Sequence, residues 1–556
     1  MTEYLVTKNS NCKNCYKCIR HCPVKSLKFT DGQAHIVKDE CVLCGECYVV
    51  CPQNAKQIRQ DVEKAKQLIS ENDVYVSLAP SFVAWFHDKS IYDMEQALKK
   101  LGFKGADETA KGAFIVKKQY EKMIEEKRSK VIISSCCHSV NTLIQRHYTD
   151  AIPYLADVIS PMLAHAQLIK KEHAGCKVAF IGPCISKKEE AEKYEGFVDV
   201  TLTFDELEEW LGMENIAIES TGTESEKGRT KSFPRSGGII DSMDKNENYH
   251  YLVVDGMENC INALDNIDKG ELDNCFIEMS ACRGSCINGP VLKRKNHNII
   301  GAILAVNENT GANDYTIAMP DRKSLKKEIR LEGVKKIMPG SSAIEEILKK
   351  MGKTSKEQEL NCGSCGYDTC RDKAMAVLTG KADLTMCLPY LKEKAESFSD
   401  TIINNTPNGI IVLNEDLEIQ QINMAAKKIL NLPVYTDLFG SPVVRILDPI
   451  DYALAIGNDE KCYDRRKYFA QYQKYVDETI IYDKEYHIII IIMKDVSEEE
   501  KIKNAKINQS KAAIEITDKV VEKQMRVVQE IALLLGETTA ETKIALTKLK
   551  ETMQDE

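Results

Sequence analysis

The sequence predicts a multidomain protein of mixed α/β and α+β class, and three observations carry that prediction. A cysteine spacing is duplicated within about the first 60 residues, β-rich runs alternate with charged helix-period stretches from about 70 to 350, and cysteine nearly ceases after Cys387. At roughly 150 residues per domain, 556 residues imply three or four domains. Hydrophobic residues at 43% and charged ones at 29% exclude a disordered, collagen-like or membrane-embedded chain. A net charge of -9 leaves no basic footprint for nucleic acid. The opening MTEYLVTKNS has no apolar h-region, and the apolar run Ile488 to Met493 is far short of the roughly 20 residues a membrane helix needs. A cytoplasmic, membrane-free location is therefore expected, and there 21 cysteines read as metal ligands or catalytic thiols before disulfides.

The first element, residues 1–62, holds Cys12, Cys15, Cys18 and Cys22, then Cys41, Cys44, Cys47 and Cys51, each 29 positions after its counterpart. Both copies read C-x2-C-x2-C-x3-C-P. This is the bacterial ferredoxin run, in which three close thiolates grip one 4Fe-4S cube and the fourth crosses to the other. Cys12, Cys15, Cys18 and Cys51 are expected to hold one cluster, and Cys41, Cys44, Cys47 and Cys22 the second. Zinc would predict separate tetrahedral sites and leave the Cys-Pro endings unexplained. Such a domain moves single electrons, so a further redox centre is expected elsewhere.

The second element, residues 63–354, alternates β-like runs (Val74 to Ala79, Val131 to Ser134, Lys177 to Ile181, Tyr251 to Val254, Phe276 to Met279) with helical stretches, which argues α/β layers around a parallel sheet. Cys136 and Cys137, Cys184, and Cys282 and Cys286 fall just after such runs. Ligands bind at strand carboxyl ends in open α/β sheets, so these thiols are expected to converge.

Here the chain resembles the FeFe hydrogenases, from residue 1 to about residue 350. SSCCHSV, GPCISKK and MSACRGSCING stand, in order, where that family has TSCCP, MPC-x-x-K and MAC-x-x-x-C-x-x-G. The resemblance implies a two-lobed H-domain in which Cys137, Cys184, Cys282 and Cys286 hold the 4Fe-4S part of an H-cluster. Cys286 would bridge to a two-iron subsite carrying CO, CN and azadithiolate. Lys187 would hydrogen-bond one cyanide, Ala79-Pro80-Ser81 would lie beside the other, and Cys136 would pass protons to and from the bridging amine.

The departures from the family pattern carry their own expectations. Gly182 before Pro183 and Ser280 before Ala281 replace methionines that pack on the two-iron subsite, which should alter its cavity and redox tuning. His138 replaces a proline; it is either a proton carrier or a structural residue. Where the family reaches a pair of proton-relaying glutamates, ungapped alignment places Lys118, Gln119 and Tyr120, with Glu121 only nearby. A proton path needs titratable groups within hydrogen-bond reach, so slow turnover is predicted.

The third element, residues 355–398, is a small helical domain in which Cys362, Cys365, Cys370 and Cys387 form C-x2-C-x4-C-x16-C. It resembles the small iron-sulfur domains of several redox proteins, with structural zinc the alternative. Residues 399–496 resemble a PAS domain: Ile410 to Leu413 and Glu418 to Ile422 flank an acidic turn, and Thr479 to Met493 would close the sheet. Residues 497–556 read as helical. Ile507, Ile514, Val521, Val528 and Leu535 make a seam every seven residues, and Gly536 with Thr538-Thr539-Ala540-Glu541 predicts a break and a capping box opening a second helix. A helical hairpin, a dimerising coil or a tail packed on the PAS domain would all fit. No histidine follows His487, so no phosphoacceptor-histidine helix is present, and output should pass to a separate protein.

Together these elements resemble the sensory FeFe hydrogenases. The resemblance implies reversible H2 = 2 H+ + 2 e- at an H-cluster beside three 4Fe-4S clusters. It further implies a redox partner such as ferredoxin, a regulatory kinase or phosphatase reached through the PAS and helical segments, and a homodimer. Two alternatives stay open: a metabolic, ferredoxin-linked hydrogenase, and a non-catalytic iron-sulfur redox sensor or assembly factor lacking the two-iron subsite. Sixteen cysteines are proposed ligands and Cys136 has a role of its own; Cys176, Cys260, Cys275 and Cys462 remain as structural residues.

Overall fold

A computed structural model of the chain describes residues 4–8, 11–270, 272–295, 297–334, 338–457 and 462–552. The chain divides into two compact units, Met1–Leu391 and Lys392–Glu556.

The cysteine repeat becomes a structural repeat. Short helices Lys17–Arg20 and Glu46–Val49 each start one residue before a cluster cysteine, and each is preceded by a left-handed residue, Tyr16 (φ 54°) and Gly45 (φ 75°). Gly45 is required for a second reason, because a Cβ there would lie 2.6 Å from the ring of Pro290. The strand Leu5–Thr7 pairs antiparallel with Lys56–Ile58, and Leu27–Thr30 with Gln33–Ile36.

The central region has two parallel sheets. One runs in the order Gly105–Glu108, Val74–Leu78, Lys177–Gly182, Val200–Thr203, and the other His250–Asp255, Cys275–Ser280, Val131–Ile133. All five strand expectations are met. Apolar content buries four of them: Val76, Leu78, Ile181, Ile133, Phe276 and Ile277 are fully buried, whereas Leu252 and Val253 of the edge strand are exposed. Leu78 is level with Ile181 in one sheet, and Ile133 with Ile277 in the other. Parallel register therefore sends the loops after these strands off the same edge of each sheet, as required for convergent ligands.

The segment around Cys362 folds onto the ferredoxin-like repeat within the first unit. The guanidinium of Arg20 donates to the carbonyls of Gly363 and Ser364, both at 3.2 Å, and the Lys25 ammonium donates to that of Gly366 at 3.1 Å. Phe29 N–H donates to the Lys381 carbonyl at 2.7 Å, and Lys381 pairs with Glu40. Ile19, Cys22, Leu27, Cys365 and Tyr367 share one apolar cluster. The helix Leu388–Asn405 spans both the expected domain boundary at 398/399 and the division between units.

The second unit has an antiparallel five-stranded sheet in the order Ile419–Ile422, Gly409–Asn414, Ile488–Asp495, Lys474–Asp483, Cys462–Phe469. The last strand was not expected, because its CYDRRKYF sequence is polar. Partners explain it: Arg465 pairs with Glu478 and Asp451, and Arg466 with Asp477 across the strand pair. The remaining chain corrects a second expectation. Ser497–Thr552 is one continuous helix of 56 residues, unbroken at Gly536. Thr538 does not cap a new helix but donates its hydroxyl back to the Leu534 carbonyl at 2.8 Å. A glycine costs about 1 kcal/mol in a helix, too little to interrupt so long a run.

Candidate active site

Strand-end loops from both sheets enclose a cavity of about 120 Å3. Its wall includes Ala79, Pro80 and Ser81 after Val74–Leu78, Cys136 and Cys137 after Val131–Ile133, Pro183, Cys184 and Lys187 after Lys177–Gly182, and Ser280 and Cys286 after Cys275–Ser280. Cys282 faces the ferredoxin-like repeat, lining a second cavity with Cys44. The four expected H-cluster thiols nonetheless act on one another. Burial, then Cys184, pushes up the thiols of Cys137, Cys282 and Cys286, the last to about 12. Clustered thiols that resist ionising alone suit a cationic iron-sulfur group, which would neutralise them as thiolates.

Polar atoms in the wall support the same fit. Ser81 Oγ is buried without a hydrogen-bond partner, although it lines the cavity. Lys187 Nζ donates to the Cys136 carbonyl at 3.1 Å and pairs with Glu190 at 2.5 Å. Burial opposes the Lys187 ammonium, but Glu190 reverses this and its pKa rises. A hydroxyl and an ammonium lining one cavity with these thiols suit a group with anionic ligands.

Cys136 is pushed up to about 12 by burial, so the thiol stays protonated at neutral pH. Its partner is Tyr120, fully buried, whose hydroxyl lies 3.2 Å from Cys136 Sγ. Sequence alignment reached this position but could not reveal the contact. The Tyr120 hydroxyl also accepts from Ser135 N–H at 2.9 Å and lies 3.1 Å from Ser135 Oγ, which donates to the Val158 carbonyl at 2.7 Å. Glu121 is spent elsewhere, accepting from Asp244 N–H and pairing with Lys118 at 2.9 Å. Glu278, which sequence reasoning missed, lines the cavity and accepts from the N–H groups of Gly237, Ile239 and Ile240; burial raises its pKa to about 7. A lone acid inside the apolar run Cys275–Met279 was the available signal.

Two of the three departing positions read differently in place. Gly182 is set behind the wall instead of in it, because a Cβ there would lie 2.7 Å from the ring of Phe180, which lines the cavity. Phe180 occupies room that a methionine at 182 would need. Ser280 is in the wall as expected. His138 is buried with Nε2 3.0 Å from Glu189, which also pairs with Arg146. It belongs to a charged network, and burial lowers its pKa.

Among the other thiols, Cys51, Cys12 and Cys15 lie near enough to Cys18 to act on it, and Cys41, Cys44 and Cys22 act on Cys47. Cys362, Cys365, Cys370 and Cys387 line one cavity. Among the described residues, no three His, Cys, Asp or Glu side chains surround a single-ion site. Cys176, Cys260 and Cys275 are buried and line none of these cavities, and the Cys462 side chain lies outside the described residues. No helix among the described residues is long and apolar enough to cross a membrane.

Residues 72–290 match the family model for the iron only hydrogenase large subunit, C-terminal domain. Residues 4–52 match a 4Fe-4S dicluster domain, and residues 358–389 an Fe-S cluster family. A component of the ion-translocating oxidoreductase complex of Methanosarcina acetivorans is 38% identical over 48 residues, 9% of this chain and 18% of the relative. The chain thus spans less than a fifth of that relative's length. A variant of the FeFe-hydrogenase HydA1 from Chlamydomonas reinhardtii is 15% identical, covering 50% of this chain and 100% of that one with a TM-score of 0.37. The PAS domain of an HTR-like protein from Haloarcula marismortui is 14% identical, covering 19% of this chain and 96% of that one with a TM-score of 0.17.

Proposed function

We propose that this FeFe hydrogenase-like chain interconverts hydrogen with protons and electrons at low turnover, and reports the outcome through its second unit. The observation that carries the reading is the cavity that collects three of the four expected thiols with Cys136, Lys187 and Ser81. When bound, an H-cluster supplies reversible splitting of H2 into two protons and two electrons. Cys137, Cys184, Cys282 and Cys286 would hold it, and the Lys187 ammonium and Ser81 hydroxyl would donate to its anionic ligands.

Cys136 holds the proton at its Sγ. Its Tyr120 partner is a poor onward donor, because burial and Cys136 push the phenol well above its usual pKa. Beyond Tyr120, the Ser135 hydroxyl ends on the Val158 carbonyl, which accepts a hydrogen bond but carries no proton onward. Slow exit of protons follows, and a sensor tolerates slow turnover. Electrons would leave through the ferredoxin-like repeat, whose Cys44 is close enough to act on Cys282. The second unit, PAS-like in its sheet and ending in a long helix, would carry the response to a regulatory kinase or phosphatase; a ferredoxin would serve as redox partner.

The test is hydrogen-dependent viologen reduction by the full, anaerobically matured chain, assayed beside a metabolic FeFe hydrogenase. Detectable rates at least tenfold lower are expected; equal rates would overturn the sensory reading, and none would overturn the catalytic one.

A further inference from the structure

Two lysines share the cavity of Cys362, Cys365, Cys370 and Cys387, though no ligand spacing requires them. Lys353 and Lys373 both line it, and both are buried, at 7% and 1% exposure. Lys373 follows Cys370 by three residues on the helix Cys370–Leu378, which places it on the thiol's face of that helix. Its Nζ donates to the Asp383 carbonyl at 2.5 Å and lies 5.6 Å from the centre of the Tyr367 ring. Lys353 Nζ donates to the Gln358 carbonyl at 2.8 Å. Each ammonium donates to a neutral carbonyl; burial lowers the Lys373 pKa to about 8, while Cys365 and the nearby Asp383 carboxylate favour its charged form, so both charges act on the thiols. Lys353 acts on Cys362, and Lys373 on Cys365.

The ferredoxin-like thiols are served differently. Both sets share one buried lysine, Lys56, whose field reaches Cys18 in one and Cys47 in the other. Arg146 also reaches Cys41, but it is already paired with Glu189 and Glu332. One-electron reduction adds a negative charge to a 4Fe-4S cube, so a fixed cation in a low-dielectric wall favours the reduced form.

We propose that Lys353 and Lys373 set the potential of the Cys362 cluster above those of both ferredoxin-like clusters, making it the place where an electron comes to rest. The proposal rests on reading these four thiols as 4Fe-4S ligands. It gives the charge a position with a consequence, because Cys387 is followed directly by the helix Leu388–Asn405, along which the chain enters the second unit.

The test is a mediator-equilibrated redox titration of the full chain followed by electron paramagnetic resonance, which needs no hydrogen and no turnover. The signal that reduces first should be the one lost in a Cys370→Ala variant. Lys373→Met should lower its reduced-to-oxidised ratio at fixed potential at least tenfold, about 59 mV for a one-electron couple. The two ferredoxin-like signals should stay in place, and Lys373→Arg should restore the value. If Lys373→Met loads no cluster there, Lys353→Met carries the same expectation. The proposal is overturned if either methionine variant keeps its iron and its midpoint, or if the Cys362 cluster reduces after the ferredoxin-like pair. A Cys370→Ala chain that keeps the full iron content of wild type would sink the cluster reading itself, and the proposal with it.

Discussion

Replacing Cys136 by alanine is expected to lower hydrogen turnover by about 10²–10⁴-fold, the range that a positioned proton carrier supplies. The thiol is the titratable side chain in the wall that is both held protonated at neutral pH and hydrogen-bonded to a second hydroxyl, at 3.2 Å. It ligates nothing in the proposed arrangement, so iron content should not change. Tyr120→Phe should cost less, since it removes a relay that already ends on a carbonyl. A Cys136→Ala protein with full iron content and unchanged turnover would remove Cys136 from the proton path and leave Glu278 to be tested in its place.

Glu190→Gln should be the most destabilising single change near the site, by about 3–5 kcal/mol, because it breaks a buried ion cluster and strands its partners. Glu190 is 0% exposed and pairs with Lys187 at 2.5 Å and Lys327 at 3.2 Å, and His138 Nδ1 stands 4.0 Å away. Burial alone would raise the Glu190 pKa; Lys187 and Lys327 more than reverse that and hold it well below the usual carboxylate range. A depressed carboxyl pKa adds stability above its unfolded value of about 4.5 and loses it as pH falls through the folded one. The gap between wild type and Glu190→Gln in denaturant melts should therefore be full at pH 7 and shrink below about pH 4.5. A gap that is small at pH 7, or that widens in acid, would show that the cluster does not hold Lys187 in place.

How much of this was legible in the sequence depends on how local each signal is. Cysteine spacings are local: Cys12 to Cys22 and Cys41 to Cys51 repeat at two and three residues, and the fold sets Cys51 near enough to act on Cys18. Four of the five expected parallel strands were legible because they are buried, which makes continuous apolar runs; the edge strand His250–Asp255 has an apolar run although Leu252 and Val253 are exposed. Side chains that act across the fold were not. Glu190 lies three residues from Lys187 in a charged stretch and looks like a solvated helix face, yet the fold buries it against Lys327, 137 positions away. Phe180, which explains Gly182, gives no sign of its role until the strand is placed. The strand Cys462–Phe469 was hidden because its arginines are neutralised by Glu478 and Asp477 on the neighbouring strand. Gly536 reads locally as a helix break, but one glycine does not outweigh the turns on either side of it.

The account depends most on whether the cavity between Cys137, Cys184, Lys187 and Cys286 holds an H-cluster in the matured protein. Infrared spectroscopy of the full chain, matured without oxygen, reads this directly. Carbonyl and cyanide bands that shift when hydrogen replaces argon are predicted, with the cyanide bands moved in Lys187→Met. A spectrum without such bands, from protein whose three other clusters are fully loaded, would contradict the central claim and leave an iron-sulfur protein of another kind.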